Sequence, residues 1–327
     1  MSSAHILTAL RKAEIVDDCE LVPLNVTGNN RVFRVEAGAA PFLVKEYVQH
    51  PGDPRDRYYT ERVFYSYLWT IGNRQIPEPL RWLPEERLAC FEFLAGNKPT
   101  IATRELMEGA LRFFFAINEP SQIASASEIP TASEACFSMD EHIRCIERRV
   151  LRLNDIAPQT EFHEAAIQFA QDKIHPTWSR VRQRLEQNTH PVLTQNQRCL
   201  SPSDFGFHNS IVELNGTPRF FDFEYAGWDD PAKTVCDFFC QPTIPLPIGW
   251  LSDFTAPVAD FFKSEAFARR VELLLPAYQI KWCCIILNDF LSVGEHRRAF
   301  SNPNMDRTQR LRDQIAKCAK AYSEFVS

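Results

Sequence analysis

The spacing of apolar residues changes at one point, Gly96–Pro99, and this change limits the folds open to the chain. The residues before it have the patterns of short strands and amphipathic helices, whereas the residues after it have mainly helical spacing. The early segments comprise helices at 4–15 and about 56–70, and strands at 30–36, 41–48, 81–83 and 88–94. The sequence therefore predicts an α+β fold with a small lobe at 1–95 and a larger, mainly helical lobe at 96–327.

Within the second lobe, the helical spacing is interrupted in two places. The predicted helices cover 103–117, 139–153, 161–187 with a possible break at Pro176, and most of 256–325. Residues 118–133 are rich in Ser, Ala, Pro and Glu, which predicts a long surface loop. Residues 199–225 return to short strands and loops, and this interruption contains the densest candidate motif of the chain.

Two short polar motifs fall in that interruption. Asp204 is followed five residues later by Asn209, and Asp222 lies in the aromatic run Phe220–Tyr225. Oxygen donors on short side chains suit Mg²⁺, which is shared with substrate phosphates. An Asp followed by Asn is also common turn chemistry, but a carboxylate among aromatic residues is costly to bury without a partner. Together the two motifs favour a site.

The aromatic run also carries a prediction about side-chain direction. If 220–225 is a strand, alternation points Asp222 and Glu224 to the same side. Phe221, Phe223 and Tyr225 then form the opposite, packed face.

A second signal lies in the small lobe. Lys45 shares a predicted strand face with its neighbours Leu43 and Tyr47, and Glu61 lies on the apolar face of the predicted helix. A carboxylate on an apolar face needs a buried partner, and Lys45 is a candidate. The alternative is a snorkelling Lys and a Glu at the rim of the core, and spacing alone favours that alternative.

Taken together, these residues resemble the aminoglycoside phosphotransferase and choline kinase family of small-molecule kinases, which have a protein-kinase-like fold. That family has a strand lysine, a helix glutamate, a catalytic-loop Asp followed by Asn, and a metal-binding Asp about eighteen residues after the first. The stretch Tyr225–Pro231 with Asp237 looks like the family's continuation after the metal site. Phe91–Gly96 looks like its interlobe hinge, and Asn25–Val35 looks like its phosphate-covering hairpin.

The resemblance implies ATP and Mg²⁺ as cofactors and a role for each matched residue. Lys45 would hold the α- and β-phosphates and Glu61 would fix its position, while Asn209 and Asp222 would hold Mg²⁺. Asp204 would accept the proton of the acceptor hydroxyl, or at least orient that hydroxyl. Backbone groups would complete the nucleotide site, those of Gly28, Asn29, Asn30 and Arg31 over the phosphates and those of Glu92, Phe93 and Leu94 at the adenine. Asp230 and Asp237 would be structural.

The sequence departs from the family pattern at two positions. Pro202 stands where the family has His, and Gly28 is the single glycine of the hairpin. Both favour the alternative of a weak or inactive, nucleotide-binding protein, while the retained Lys45, Asp204, Asn209 and Asp222 favour an enzyme. A metal-dependent hydrolase would leave Lys45 and Glu61 unexplained. His208 has no implied role and is interpreted as a packing or surface residue.

The resemblance implies that the acceptor is a small molecule with a hydroxyl group. A protein acceptor is disfavoured, because Asp-Pro follows within nine residues of Asp222 and leaves no room for an activation segment. The resemblance places the acceptor against 281–298, with candidate contacts at Trp282, Asn288, Asp289, Glu295 and His296. Trp228, Trp250 and Trp282 could form an aromatic box for a quaternary ammonium, although tryptophans at helical spacing are more often core. Aminoglycosides, amino alcohols and sugars all remain open.

Composition and charge disfavour several other classes of protein. Lys+Arg 36 against Asp+Glu 42 gives a net charge of -6, which argues against a general nucleic-acid binder. No apolar run reaches the roughly 18 residues of a membrane span, and no secretory signal opens the chain. Ten cysteines without a C-x-x-C pair indicate free thiols. These features predict a cytoplasmic protein without a membrane anchor.

Overall fold

The computed structural model describes residues 3–24, 30–38, 40–49, 55–188, 191–292 and 306–326. Its strands are β1 Glu20–Leu24, β2 Arg31–Glu36, β3 Phe42–Glu46, β4 Pro79–Leu83, β5 Leu88–Glu92, β6 Cys199–Ser201, β7 Ser210–Val212, β8 Pro218–Phe220 and β9 Gly227–Asp229. Its α-helices are α1 Ala4–Lys12, α2 Arg57–Thr70, α3 Arg104–Ile117, α4 Pro120–Ile123, α5 Met139–Arg152, α6 Glu161–Phe169, α7 His175–Glu186, α8 Pro231–Cys240, α9 Leu251–Phe261, α10 Phe267–Leu287 and α11 Arg307–Val326. The α+β prediction is confirmed.

The first part of the chain forms one five-stranded antiparallel sheet in the order β1-β2-β3-β5-β4. Alternation along β3 sends Phe42 and Val44 to one face, where they pack with α1 through Ile6 and Leu10. The opposite face carries Lys45, which lies opposite Val32 in β2 and Ala89 in β5. Lys45 is therefore held in the middle of the sheet, on the face that α1 does not cover.

Strand β1 was not predicted from the sequence. It forms one edge of the sheet, and Pro23 lies within it. A proline cannot donate to a ladder of hydrogen bonds and so weakens a strand pattern, but an edge strand tolerates it. The predicted strand at 88–94 is also shorter than expected, because β5 ends at Glu92 and not at Leu94.

Helix α2 begins where predicted because Asp56 caps it, accepting a hydrogen bond from the backbone N–H of Tyr59 at 3.1 Å. Its buried face includes Glu61, Phe64 and Tyr65. The Tyr65 ring lies 4.8 Å from that of Phe91 in β5. Helix α2 thus places the Glu61 carboxylate among aromatic rings, on the same side of the sheet as Lys45.

The chain leaves the sheet through Gly96. A Cβ added there would lie 2.3 Å from the carbonyl oxygen of Val212, so only glycine allows this approach. The next residue, Asn97, exchanges two backbone hydrogen bonds with Val212, at 2.9 and 3.1 Å. The segment after the sheet is thereby tied to β7, beside the polar motifs, and the division into lobes at residue 96 stays a prediction.

The remainder is mainly helical, with α10 packed against α5, α7, α8, α9 and α11. The prediction of a plain surface loop at 118–133 is wrong. This segment contains α4, buries Ala126 and Ile129 in the core, and runs beside β9, where Trp228 donates to Pro130 at 2.9 Å. The possible break at Pro176 takes the form of a π-helical turn over 170–174, between α6 and α7.

Two further predictions concern the whole chain. Among the residues described, no helix is both long and apolar enough to cross a bilayer. All ten cysteines are free thiols, and each except Cys19 is buried. Burial among apolar residues is the ordinary state of structural thiols.

Candidate active site

Lys45 is the centre of a cluster of buried charges. Its ammonium lies 2.6 Å from Glu61 Oε2 and 3.7 Å from Glu224 Oε2, and it also donates to Asp222 Oδ1. These three partners come from α2 and from the segment after β8. The predicted pairing of Lys45 with Glu61 is therefore correct, and the alternative of a snorkelling Lys and a rim Glu is not.

Glu61 is fixed by three donors. Besides Lys45, it accepts hydrogen bonds from the hydroxyl of Tyr47 at 2.8 Å and from the backbone N–H of Phe223 at 3.0 Å. Because both of its oxygens are engaged and the side chain is 1% exposed, its geometry leaves little freedom. Glu61 joins the sheet to the segment that carries Asp222.

Three carboxylates share one lysine, and the pKa values of Lys45 and Glu61 reflect this sharing. Burial opposes the charge of Lys45, but Asp222, Glu61 and Glu224 outweigh it and raise the pKa of the ammonium. Burial raises the pKa of Glu61 to about 7, because the charge of Lys45 is divided among three acids while Asp222 and Glu224 repel the Glu61 carboxylate. The cluster is short of positive charge.

The prediction of a strand over 220–225 is wrong. Strand β8 ends at Phe220, and Asp222 has a φ of 69°, in the left-handed region that a non-glycine residue rarely adopts. The expected packed face is only partly present, since Phe223 is buried while Phe221 lines a cavity. Asp222 and Glu224 nevertheless both reach Lys45, so the direction predicted for them is correct for another reason.

Glu224 also links the two parts of the chain. Its carboxylate accepts a hydrogen bond from the side-chain amide of Asn30, just before β2, and lies 3.9 Å from Nε of Arg57 in α2. Asn30 is buried, and within the described part of the chain its own Oδ1 has no hydrogen-bond partner. These contacts set Glu224 at the inner wall of the site.

A cavity of about 300 Å³ opens from Lys45 towards the hinge segment. Its apolar part is lined by Val32, Leu43, Phe91, Phe93, Leu94 and Ile211. Its polar end is lined by Asn30, Lys45, Glu61, Asp222 and Glu224, and Lys98 also lines it. An apolar slot that ends in a lysine and several carboxylates suits a flat base joined to phosphates and a metal ion.

Glu92 and Arg31, predicted to meet the nucleotide through backbone groups, direct their side chains to partners outside the cavity lining. The Glu92 side chain accepts from Arg219 at 2.6 Å, and the Glu92 backbone N–H donates to Glu78 at 2.9 Å. Arg31 turns to Glu46, with an N–O distance of 2.6 Å. Gly28 and Asn29 lie outside the described residues.

The loop that carries Asp204 is held by hydrogen bonds and by buried rings. Asn209 Nδ2 donates to the backbone oxygen of Asp204 at 3.1 Å and lies 3.4 Å from Asp204 Oδ2. The carbonyl of Asn209 accepts from the backbone N–H of Phe221 at 3.1 Å, which sets Asn209 beside the segment of Asp222. Phe205 and Phe207 are buried and anchor the loop. The structure thus brings the two polar motifs of the sequence together.

Two details of this loop bear on the sequence predictions. At the Pro202 turn, the hydroxyl of Ser201 accepts from the backbone N–H of Ser203 at 3.0 Å, which gives the turn a local support. His208 was interpreted as a packing or surface residue. Its Nε2 lies 3.3 Å from Asp204 Oδ1, so the ring is a direct neighbour of the candidate catalytic carboxylate.

Asp230 and Asp237 have the contacts expected of structural residues. Asp230 caps α8 and is bonded by Arg270 at 2.7 Å and His142 at 2.9 Å. Although burial opposes it, these partners lower the pKa of Asp230 to about 2. Asp237 accepts two 2.9 Å hydrogen bonds from Lys281.

The three tryptophans considered for an aromatic box each make a separate contact. The indole N–H of Trp282 donates to Asp237 at 2.9 Å, and Arg104 covers the ring of Trp250 at 4.5 Å. Trp228 lies in β9 opposite Leu200. Of the other candidates, Asn288 is half-buried and Asp289 is buried, while Glu295 and His296 lie outside the described residues.

The donor set fits a divalent cation. Oxygens of Glu61, Asp222 and Glu224 lie within 4.8 Å of one another. Hard carboxylate oxygens with a surplus of negative charge are what Mg²⁺ requires. Since Glu61 is engaged by three donors, Asp222 and Glu224 are better able to bind an ion, with Asn209 next to them.

Glu224 and Arg57 are site residues to which the sequence alone assigns no role. For Glu224 the signal was present, because the motif Asp222-Phe-Glu224 repeats an acid at a spacing of two residues. For Arg57 the signal was its position one helical turn before Glu61. Arg57 precedes Glu61 by four residues and therefore lies on the same face of the helix. Neither signal distinguishes a site residue from a surface charge without the fold.

Known structures with a similar fold include several small-molecule kinases. Choline kinase from Cryptosporidium parvum has a TM-score of 0.57 and 12% identity over 99% of this chain and 96% of its own. Ethanolamine kinase from Plasmodium vivax has a TM-score of 0.59 and 11% identity over 97% and 88%. A spectinomycin phosphotransferase in complex with ADP and spectinomycin has a TM-score of 0.58 and 10% identity over 98% of both chains.

These similarities establish the two-lobed, protein-kinase-like fold of the chain, as the sequence motifs predicted. No protein-family model matches the sequence, and no curated protein matches it significantly.

Proposed function

We propose that this chain, which has the fold of the choline kinases and aminoglycoside phosphotransferases, transfers the γ-phosphate of ATP to a hydroxyl group of a small molecule. The observation that carries the proposal is the position of Lys45, bonded to Glu61 and Asp222 at the end of an apolar cavity. A lysine fixed by a helix carboxylate is the arrangement that holds nucleotide phosphates in this fold.

In this proposal the nucleotide lies along the cavity. The adenine occupies the apolar part, against backbone groups of Glu92, Phe93 and Leu94. The phosphates extend to Lys45, which exchanges its bond with Asp222 for contacts to phosphate oxygens. The side chain of Asn30 supports the hairpin that would cover the phosphates. Such support suits a hairpin with a single glycine.

Asp222, Glu224 and Asn209 are the residues that would hold Mg²⁺. Bound there, the ion would neutralise charge on the phosphates. The residues themselves supply its position, since Asn209 and Asp222 are linked through the hydrogen bond between the Asn209 carbonyl and Phe221. Glu61 keeps Lys45 in place and does not need to contact the ion.

Asp204 is the candidate catalytic residue, because it lies beside Asn209 and its carboxylate has no cationic Lys or Arg partner among the described ion pairs. It would orient the acceptor hydroxyl and take its proton. His208, at 3.3 Å, is placed to hold that carboxylate in one orientation. Catalysis of this kind rests on positioning and electrostatics rather than on a covalent intermediate.

Two measurements on the same protein samples test the proposal. Titration calorimetry with Mg·ATP tests binding, and ADP release tests turnover across a panel of aminoglycosides, choline, ethanolamine, amino sugars and sugars. We expect acceptor-dependent ADP release that Asp204→Ala abolishes while nucleotide binding persists. Asp253→Asn, at an exposed ion pair with Arg104, is the matched control and should keep full turnover.

The outcomes separate the two candidate functions. Nucleotide binding without turnover for any acceptor, in wild type and Asp204→Ala alike, would favour the nucleotide-binding protein that the Pro202 loop and the sparse hairpin suggested. Absence of nucleotide binding would contradict both. The acceptor that supports turnover defines the substrate class.

A further inference from the structure

A second cavity lies on the helical side of the molecule. It has a volume of about 200 Å³ and is lined by Ala135, Cys136, Glu141, Arg144, Cys145 and Arg148. It shares no lining residue with the nucleotide cavity. Two thiols therefore form part of the wall of an opening that the proposed kinase reaction does not use.

The two thiols are close neighbours at this cavity. Cys136 precedes α5 and Cys145 lies in its second turn, and the side chain of each has the largest effect on the acidity of the other. They are 1% and 2% exposed, so the cavity is their route to solvent. Cys136 is held in place by its backbone N–H, which donates to Asp229 Oδ1 at 3.1 Å, and by its Sγ, which donates to the carbonyl of Glu134 at 3.3 Å.

Their proximity makes the thiols unequal. The neighbouring Cys136 thiol lowers the pKa of Cys145 to about 7, with help from the buried ammonium groups of Lys281 and Lys233 and against the effects of burial and Glu134. Cys145 and burial together raise the pKa of Cys136, whose S–H is also held by the carbonyl of Glu134. One sulfur is therefore set up as a thiolate nucleophile and the other as a thiol beside it.

A second thiol pair in the chain shows that contact alone does not produce this arrangement. The Cys318 thiol in α11 donates to the backbone carbonyl of Cys283 in α10 at 3.8 Å, but neither residue lines one of the two cavities. The neighbouring Cys318 thiol and burial raise the pKa of Cys283 well above its ordinary value. The pair is an internal control with the same chemistry and without the opening.

We propose that Cys136 and Cys145 form an oxidation site that takes hydrogen peroxide through this cavity and closes to an intramolecular disulfide. The Cys145 thiolate attacks one peroxide oxygen, the O–O bond breaks, and a sulfenic acid forms as hydroxide leaves and is protonated to water. The Cys136 sulfur then attacks Sγ of Cys145, the S–S bond forms, and the sulfenic oxygen leaves as a second water. Two thiols and one peroxide thus become one disulfide and two waters.

The surroundings suit both steps. Arg144 and Arg148 line the opening and favour the negative charge that develops on the departing oxygen. The resulting disulfide would join the start of α5 to the segment that runs along β9, where Ala132 donates to Trp228 at 3.0 Å. The inference rests on the thiols and the cavity and does not depend on the proposed kinase activity.

The experiment is peptide mapping of the full chain after exposure to hydrogen peroxide. The reduced protein is treated near pH 7.5, its remaining thiols are alkylated, and it is digested with trypsin, which cleaves after Arg144, between the two cysteines. We expect a cross-linked peptide pair containing Cys136 and Cys145, formed ~10-fold or more faster than any product at Cys283. In urea, where the fold is lost, that difference in rate should vanish.

Two variants test the order of the steps. In Cys136→Ser, Cys145 should accumulate as a sulfenic acid that a 1,3-dione reagent labels. In Cys145→Ser, Cys136 should stay a thiol at the same peroxide exposure. Oxidation of Cys145 in the folded wild type no faster than that of Cys283, or a disulfide that forms only in urea, would overturn the proposal without use of either variant.

Discussion

The charge balance around Glu61 leads to a quantitative prediction about how stability depends on pH. Burial raises the pKa of Glu61 from 4.5 to about 7. At ~1.4 kcal/mol per pH unit, that difference corresponds to ~3.5 kcal/mol. Because the folded carboxyl retains its proton to a higher pH than the unfolded one, the free energy of unfolding falls as the pH rises from 4.5 through about 7.

Glu61→Gln removes this titration. The substitution also disturbs the hydrogen bonds from Lys45, Tyr47 and Phe223, but that cost is the same at every pH where those donors keep their protons. The effect of the charge therefore appears as a difference between two pH values. From pH 5 to pH 8, without divalent cations, we expect the wild type to lose about 2.5 kcal/mol relative to the variant.

Urea unfolding of both proteins at pH 5 and pH 8, in EDTA, measures this difference. Glu92→Gln, in strand β5 beside β3, is the matched control. Burial raises the pKa of Glu92, but the hydrogen bond from Arg219 outweighs burial and lowers that pKa. Glu92 therefore does not titrate between pH 5 and pH 8. A Glu61→Gln effect that is equal at the two pH values would refute the argument that three acids compete for Lys45.

Two further predictions concern single buried charges. Lys45→Met removes the cation at the end of the nucleotide cavity and should lower the rate of ADP release ~100-fold or more, with an unchanged circular dichroism spectrum; a small change in rate would contradict the proposed role of Lys45. Asp230→Asn keeps the cap of α8 but removes the charge that Arg270 and His142 contact, and from a pKa of about 2 against the ordinary 3.8 it should cost about 2 kcal/mol in urea unfolding at pH 7. That contribution is complete above pH 3.8 and disappears as the pH falls towards 2, so a cost that does not shrink in this window would contradict the assignment.

The sequence by itself determined the order of the elements and the identity of the central residues. The spacing of apolar residues predicted α2, α3 and α5 within a residue or two, because helical periodicity is a local property. The motif of Asp204, Asn209 and Asp222 indicated a site, because polar side chains among aromatic residues require partners. The edge strand β1, the packed segment 118–133 and the turn that replaces the predicted strand over 220–225 were beyond it.

The tertiary structure decided which of these side chains meet. Asn30 and Glu224 are separated by 194 positions and contact each other only because the two parts of the chain pack together. Asp222 faces Lys45 through a left-handed backbone conformation, which strand alternation did not anticipate.

The same holds for the thiols. The ten cysteines look alike in the sequence. Only the fold brings Cys136 and Cys145 to the wall of one cavity, whereas it buries Cys283 and Cys318 between α10 and α11. Local periodicity fixes secondary structure, whereas contacts between distant side chains depend on packing that no local pattern encodes.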